Sequence, residues 1–234
     1  MGVGGVDRVA VVGTGLIGAS VGLAARRAGV DSVRGWDPDA ETLQGARDRE
    51  AVEIAESLAE AVADVDLVVV AAPVTALPDA VRAVLASAPE GCTVTDVGST
   101  KAGVRAAAGD DPRFVGGHPI CGAETRGPGR ATAELFDGAT WFLTPSAATD
   151  PDRFRLAHAF VTALGARPVA IDANAHDRVV AMTSHLPHAL ANLLLNQAGA
   201  TRVEGHDPLQ AAGGSLRDMT RIAGANPRIW VDIF

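Results

Sequence analysis

Val9-Ala10-Val11-Val12-Gly13-Thr14-Gly15-Leu16-Ile17-Gly18 is the stretch on which the fold turns. Four apolar residues read as a buried strand, and the G-x-G-x-x-G run after them opens into an Ala-rich stretch of helical periodicity. Each glycine has its own physical task. Gly13 permits the tight turn, Gly15 lets the main chain approach a pyrophosphate, and Gly18 lets helix and strand pack closely. Leu16 and Ile17 begin the helix, whose free N–H groups and positive dipole end suit phosphates. A glycine turn alone is a weak signal. Asp37 closes the next strand, 22 residues past Gly15, and the combination is a dinucleotide-binding signature. The Asp37 carboxylate would accept hydrogen bonds from the adenosine ribose and repel a 2′-phosphate, so NAD is expected rather than NADP. Arg34 could reverse that choice if it turned toward the ribose, but Pro38, not Arg, follows Asp37.

Outward from this turn, short apolar runs alternate with helical stretches, the pattern of a doubly wound α/β Rossmann domain on a parallel sheet. Strands are expected over 8–12, 32–36, 67–71, 93–97, 114–116, 140–143 and 168–171, and helices over 16–28, 40–48, 75–88 and 151–164. The alternation ends near residue 171, which makes 1–171 the dinucleotide-binding domain. Asp172 then caps a long helix that carries Val179, Val180, Met182, Leu186, Leu190, Leu193 and Leu194, and a further helical stretch covers 209–223. Residues 172–234 are therefore expected to be an all-helical, dimerising segment. The apolar ending at Trp230, Ile233 and Phe234 suggests a truncated domain, or one covered by a second subunit.

Composition bounds the function. The net charge of −8 offers no basic footprint for nucleic acid or for a membrane surface, and no 18-residue apolar run or signal peptide is evident. Cys92 and Cys121, the two cysteines, have no disulfide or zinc spacing, and a reducing cytoplasm is expected. Any anionic ligand must be met by local charge.

Several segments could carry chemistry. Ala72 and Pro73 follow a strand where a cofactor would lie, and could equally be strand-end packing. Ser99 and Lys101 follow the next strand in a polar loop of a common kind. His118 is sharper. It sits between Gly116-Gly117 and Pro119 on an expected strand-end loop at the cofactor's edge of the sheet, where an imidazole of ordinary pKa, ~6.5, could act as general acid or base. Ser184, His185 and His188 share a helix kinked by Pro187, without the nearby Cys or carboxylate that a metal site needs, so no metal is expected. Arg217 and Arg221, at i and i+4 behind Gly213-Gly214, could form a carboxylate clamp beside Trp230 or simply be surface charges.

Taken together these blocks resemble the prephenate/arogenate dehydrogenase family: G-T-G-L-I-G-A-S at 13–20, D-V-G-S-T-K at 96–101, G-H-P-I-C-G-A-E at 117–124, S-H-L-P-H at 184–188, and R-D-M-T-R-I-A with N-P-x-I-W-x-D-I-F at 217–234. Position 121 is Cys where family members often carry Ala. The resemblance implies oxidative decarboxylation of prephenate with NAD, by a homodimer on the tyrosine route. It implies His118 as catalytic base on the ring hydroxyl, with Ser99 sharing that hydrogen bond, and Arg221 on a substrate carboxylate. Ser184 and His188 would face the pyruvyl side chain, Glu124 would join a gating polar network, and Trp230 would lie near the site. Arogenate dehydrogenase is the nearest rival. A β-hydroxyacid dehydrogenase would need a catalytic Lys on a later helix, whereas Lys101 is the chain's only lysine; a catalytically silent NAD-binding module is the rival from another class.

Overall fold

In a computed structural model the described residues are 5–121 and 127–224. Eight strands form one sheet: β1 (Arg8–Val12), β2 (Ser32–Trp36), β3 (Glu53–Ile54), β4 (Leu67–Val70), β5 (Thr93–Asp96), β6 (Phe114–Pro119), β7 (Thr140–Thr144) and β8 (Arg167–Ala170), in the order β3-β2-β1-β4-β5-β6-β7-β8. The order reverses between β1 and β4, and the glycine turn leaves β1 at that crevice.

Strands β1 and β4 are almost wholly buried because helices cover both faces of the sheet. Their side chains divide with a period of two. Val9, Val11, Leu67 and Val69 join one core with α1 (Leu16–Ala28) and α6 (Pro151–Ala163), centred on Phe136, Trp141 and Phe160. Ala10, Val12, Val68 and Val70 join the other with α3 (Leu58–Val62), α4 (Leu77–Ser87) and α5 (Ala102–Ala108). The remaining Rossmann helix is α2 (Ala40–Asp48), capped by Asp39.

The fold differs from the sequence reading in four places. β7 runs antiparallel to β6, pairing Gly117 with Leu143 and His118 with Phe142. That pairing carries β6 through Pro119, so His118 stands on a strand and not on the loop after it. Elements β3, α3 and α5 were not expected. The first two are too short for periodicity, although Ser57 and Glu60 spell a capping signal that the structure uses, with Ser57 Oγ accepting from the Glu60 N–H at 3.2 Å. Finally, the expected helix over 209–223 is broken by Gly213-Gly214 into a 3-10 turn (Pro208–Ala211), α9 (Gly214–Thr220) and a second 3-10 turn (Arg221–Gly224).

Past Asp172, whose carboxylate accepts from the Asn174 and Ala175 N–H groups, come α7 (Ala173–Val180), a π-helical turn (Ala181–His185) and α8 (Leu186–Ala200). The expected kink at Pro187 takes this π form. Pro187 has no N–H for the Thr183 carbonyl, and the wider turn just upstream accommodates the loss. Among the described residues no helix is long and apolar enough to cross a membrane.

Gly18 fixes the packing of α1 on β1, since a Cβ there would lie 1.9 Å from the Gly13 carbonyl oxygen. Gly18→Ala should therefore lower stability by on the order of 1–3 kcal/mol. Urea unfolding would show it, and an unchanged midpoint would refute the close approach.

Candidate active site

At the crevice, Gly13 has φ 91° and its N–H donates to the Trp36 carbonyl at 2.8 Å, while the Ala71 carbonyl fills the space that a side chain would need. The absent side chain of Gly13 is what lets the main chain at Ala71 and Ala72 come this close to β1. Gly15 faces open space, and the first turn of α1 has neither a side-chain cap nor an acidic residue. Those uncapped N–H groups fit a phosphate. Asp37 accepts from the Thr14 N–H at 2.7 Å and the Asp39 N–H at 2.9 Å, so it braces the turn and keeps carboxylate lone pairs for a ribose. Arg34 points its guanidinium at the carbonyls of Glu60 and Ala63, at 3.3 and 2.8 Å, and is committed away from the ribose position.

One buried ion pair joins the ends of β5 and β6. Asp96 is fully buried; its oxygens accept from the Gly98 N–H at 2.8 Å and the Gly117 N–H at 3.0 Å, and pair with the Lys101 ammonium. Lys101, 1% exposed, also donates to the Gly117 carbonyl at 2.6 Å. Burial pulls its pKa down, against the opposing pull of Asp96. A Cβ on Gly117 would lie 2.4 Å from the Asp96 carbonyl oxygen, so the glycine before His118 allows close contact between strands. The Ser99 hydroxyl, carried on the loop within this clamp, is buried with no hydrogen-bond partner among the described residues. An orphaned hydroxyl beside the crevice suits a ligand.

His118 is half-buried, and its Nδ1 lies 2.9 Å from Nε2 of His176 on α7. His176 is fully buried, packs edge-on against Phe142, and its Nδ1 lies 2.8 Å from Oδ1 of Asp177. The Asp177 carboxylate in turn accepts from the N–H groups of Lys101 and Ala102, at 2.8 and 2.9 Å, and so caps α5 from a distance. Burial first, then the positive charge of Lys101 and the neighbouring His176 and His185, hold His118 well below the ordinary imidazole value; Asp177 pulls the other way. These are the neighbours that move His118 away from the ordinary imidazole value.

The sequence-predicted residues of the helical part fall into two groups. His185 lies in the π turn near enough to influence His118, and is itself influenced by His188. His188 Nδ1 donates to the Ser184 carbonyl at 2.9 Å, which fixes the ring on the helix. Arg217 on α9 and Arg221 on the turn after it are exposed, and both elements pack against α8. Glu124 and Trp230 lie outside the described residues.

Sequence gives no role to Asp96, His176 or Asp177, and marks Lys101 only as a loop amine. Asp96 stood in a quoted block but looked like a strand end. His176 and Asp177 had no motif at all, because their partners are 58 and 75 to 76 residues away.

Residues 21–170 match the prephenate dehydrogenase nucleotide-binding domain, and residues 172–234 match the prephenate dehydrogenase dimerization domain. The chain belongs to the prephenate dehydrogenase family. It is 32% identical over 239 residues to cyclohexadienyl dehydrogenase of Zymomonas mobilis, which covers 96% of this chain and 79% of that protein. It is 28% identical to prephenate dehydrogenase of Lactococcus lactis, over 97% of this chain and 64% of that one. Prephenate dehydrogenase of Aquifex aeolicus, solved with hydroxyphenyl propionate and NAD+, superposes with a TM-score of 0.89 at 31% identity, covering 97% of this chain and 82% of that one. The chain thus spans less than two thirds of the second relative's length. The oxidoreductase class, the Rossmann fold with a helical part, and the NAD cofactor read from the sequence are those of this prephenate dehydrogenase family.

Removing the ammonium from the buried pair strands a carboxylate in the core. Lys101→Met should cost about 3–5 kcal/mol of stability by chemical unfolding. A cost under about 1 kcal/mol would mean that water reaches Asp96.

Proposed function

We propose that this chain oxidatively decarboxylates prephenate to 4-hydroxyphenylpyruvate, with NAD as cofactor. The observation that carries the reading is a half-buried imidazole, His118, kept neutral at the carboxyl end of β6, on the sheet edge where the glycine turn leaves β1. The N–H groups of Gly15, Leu16, Ile17 and Gly18 would hold the pyrophosphate, Asp37 the ribose, and Ala72 and Pro73 would border the bound dinucleotide. Arg34's commitment to backbone carbonyls supports NAD over NADP. The bound nicotinamide supplies the hydride acceptor.

The chain's own work is to place a dianion and to move one proton. His118 takes the ring hydroxyl proton as hydride leaves the same carbon, and Ser99 holds that oxygen. The bond to the departing carbon dioxide then breaks, its electron pair flows through the ring to the oxygen, and the oxygen recovers a proton. Arg221 offsets one substrate carboxylate, with Arg217 as the reserve cation, while Ser184 and His188 meet the pyruvyl group and Glu124 and Trp230 complete the site. The relative named cyclohexadienyl dehydrogenase carries the name of the ring that prephenate and arogenate share, so arogenate is the second substrate to test.

We also propose a homodimer. Val179, Met182, Leu186, Leu190 and Leu193 recur at helical spacing along α7, the π turn and α8, yet are 41–66% exposed. Such a face is too apolar to be left to water, and it lies in the segment matching a dimerization domain. Sedimentation of the chain should show a dimer at micromolar concentration; a stable monomer would refute it.

Turnover should require prephenate or arogenate and run better with NAD than with NADP; no NADH formation from either substrate would refute the reaction. The base works neutral, so a lowered pKa keeps it working at lower pH, and the acid limb of kcat/KM should fall below 6.5. His118→Asn should lose at least about a hundredfold in kcat with NAD affinity retained. A variant keeping more than about a tenth of kcat, or the same acid limb, would move the role to His185 or His188.

A further inference from the structure

We propose that His176, backed by Asp177, is a positioning residue that locks His118 in the tautomer carrying its proton on Nδ1, and so leaves Nε2 bare as the base. The proposal rests on His118 being the base of the reaction above.

The argument runs inward from the carboxylate. An ionised carboxylate can only accept, so at 2.8 Å from Asp177 Oδ1 the His176 Nδ1 must carry a hydrogen. A neutral His176 then has a bare Nε2, which can only accept. His118 Nδ1, 2.9 Å away, must therefore donate to it, and the lone pair of His118 is left on Nε2. Each step follows from the one before, and the chain is unambiguous as long as Asp177 is charged and His176 carries a single ring hydrogen. Burial would raise the Asp177 pKa, but the His176 hydrogen bond and the N–H groups of Ala102 and Lys101 outweigh it and hold the carboxyl below its ordinary range.

The groups facing His118 from the surrounding elements are Lys101, His176, His185 and Asp177, with Asp96 behind Lys101. The nearby ammonium opposes a second proton on the ring at rest. When Nε2 accepts the substrate proton, the Nδ1–H already points down a hydrogen-bonded line that ends on a negative charge, so the imidazolium is met without rearrangement. His176 has no exposed surface and cannot reach substrate itself.

Asp177 also caps α5, so its replacement would disturb more than the tautomer, and the test uses His176. In the nitrogen-15 labelled full chain without substrate, long-range proton–nitrogen correlation should show His118, assigned by its loss in His118→Asn, protonated on Nδ1. His176→Leu should lose that preference and about tenfold or more in kcat, with the KM for NAD within about twofold. His176→Gln, whose amide oxygen can accept from Nδ1–H, should recover much of both. A wild-type His118 protonated on Nε2, or a His176→Leu chain with unchanged tautomer and kcat, would overturn the assignment. The tautomer is read without turnover, so a wild-type chain inactive on both substrates would strike the proposed reaction and leave the tautomer assignment standing.

Discussion

The architecture around the candidate site depends on one carboxylate, Asp96, buried at the end of β5. A charge in that position is tolerable only because two backbone N–H groups and one ammonium converge on it. The convergence has geometric consequences. Gly98 N–H fixes the start of the Ser99 loop, Gly117 N–H fixes the strand one residue before His118, and Lys101 spans both. An apolar pair could fill the same volume, but it would leave the two N–H groups unpaired and the loop without a set position.

Sequence made the dinucleotide half legible because its determinants are local. Gly13, Gly15 and Gly18 act within one turn, and Asp37 acts one strand later; four strands and helices starting from them have the boundaries that periodicity indicates, with β1, β2, α1 and α2 matching residue for residue. The chemistry of His118 was legible as a residue type in the right place. Its surroundings were not, since His176 and Asp177 reach it across 58 and more residues, and nothing in a helix reading A-N-A-H-D-R-V-V marks which side chains face a distant strand. The antiparallel turn of β7 was hidden for a similar reason: strand patterning gives a period, not a direction.

The helical part was read correctly as apolar but not as kinked by a π turn. That turn has a use beyond accommodating Pro187. It places His185 and Ser184 in the segment where the helix is widest, next to α7, whose His176 reaches the sheet, while the leucines beyond it stay on the outer face.

Asp177 bonds both the first N–H groups of α5 and the ring of His176, so a single side chain belongs at once to the Rossmann sheet's helical layer and to the helical part. Displacing α7 from the sheet would break the Asp177 bonds to α5 and the His176 contact to His118 together. The contacts that cap α5 and orient His118 therefore share one anchor, and loss of that anchor would leave the base unoriented.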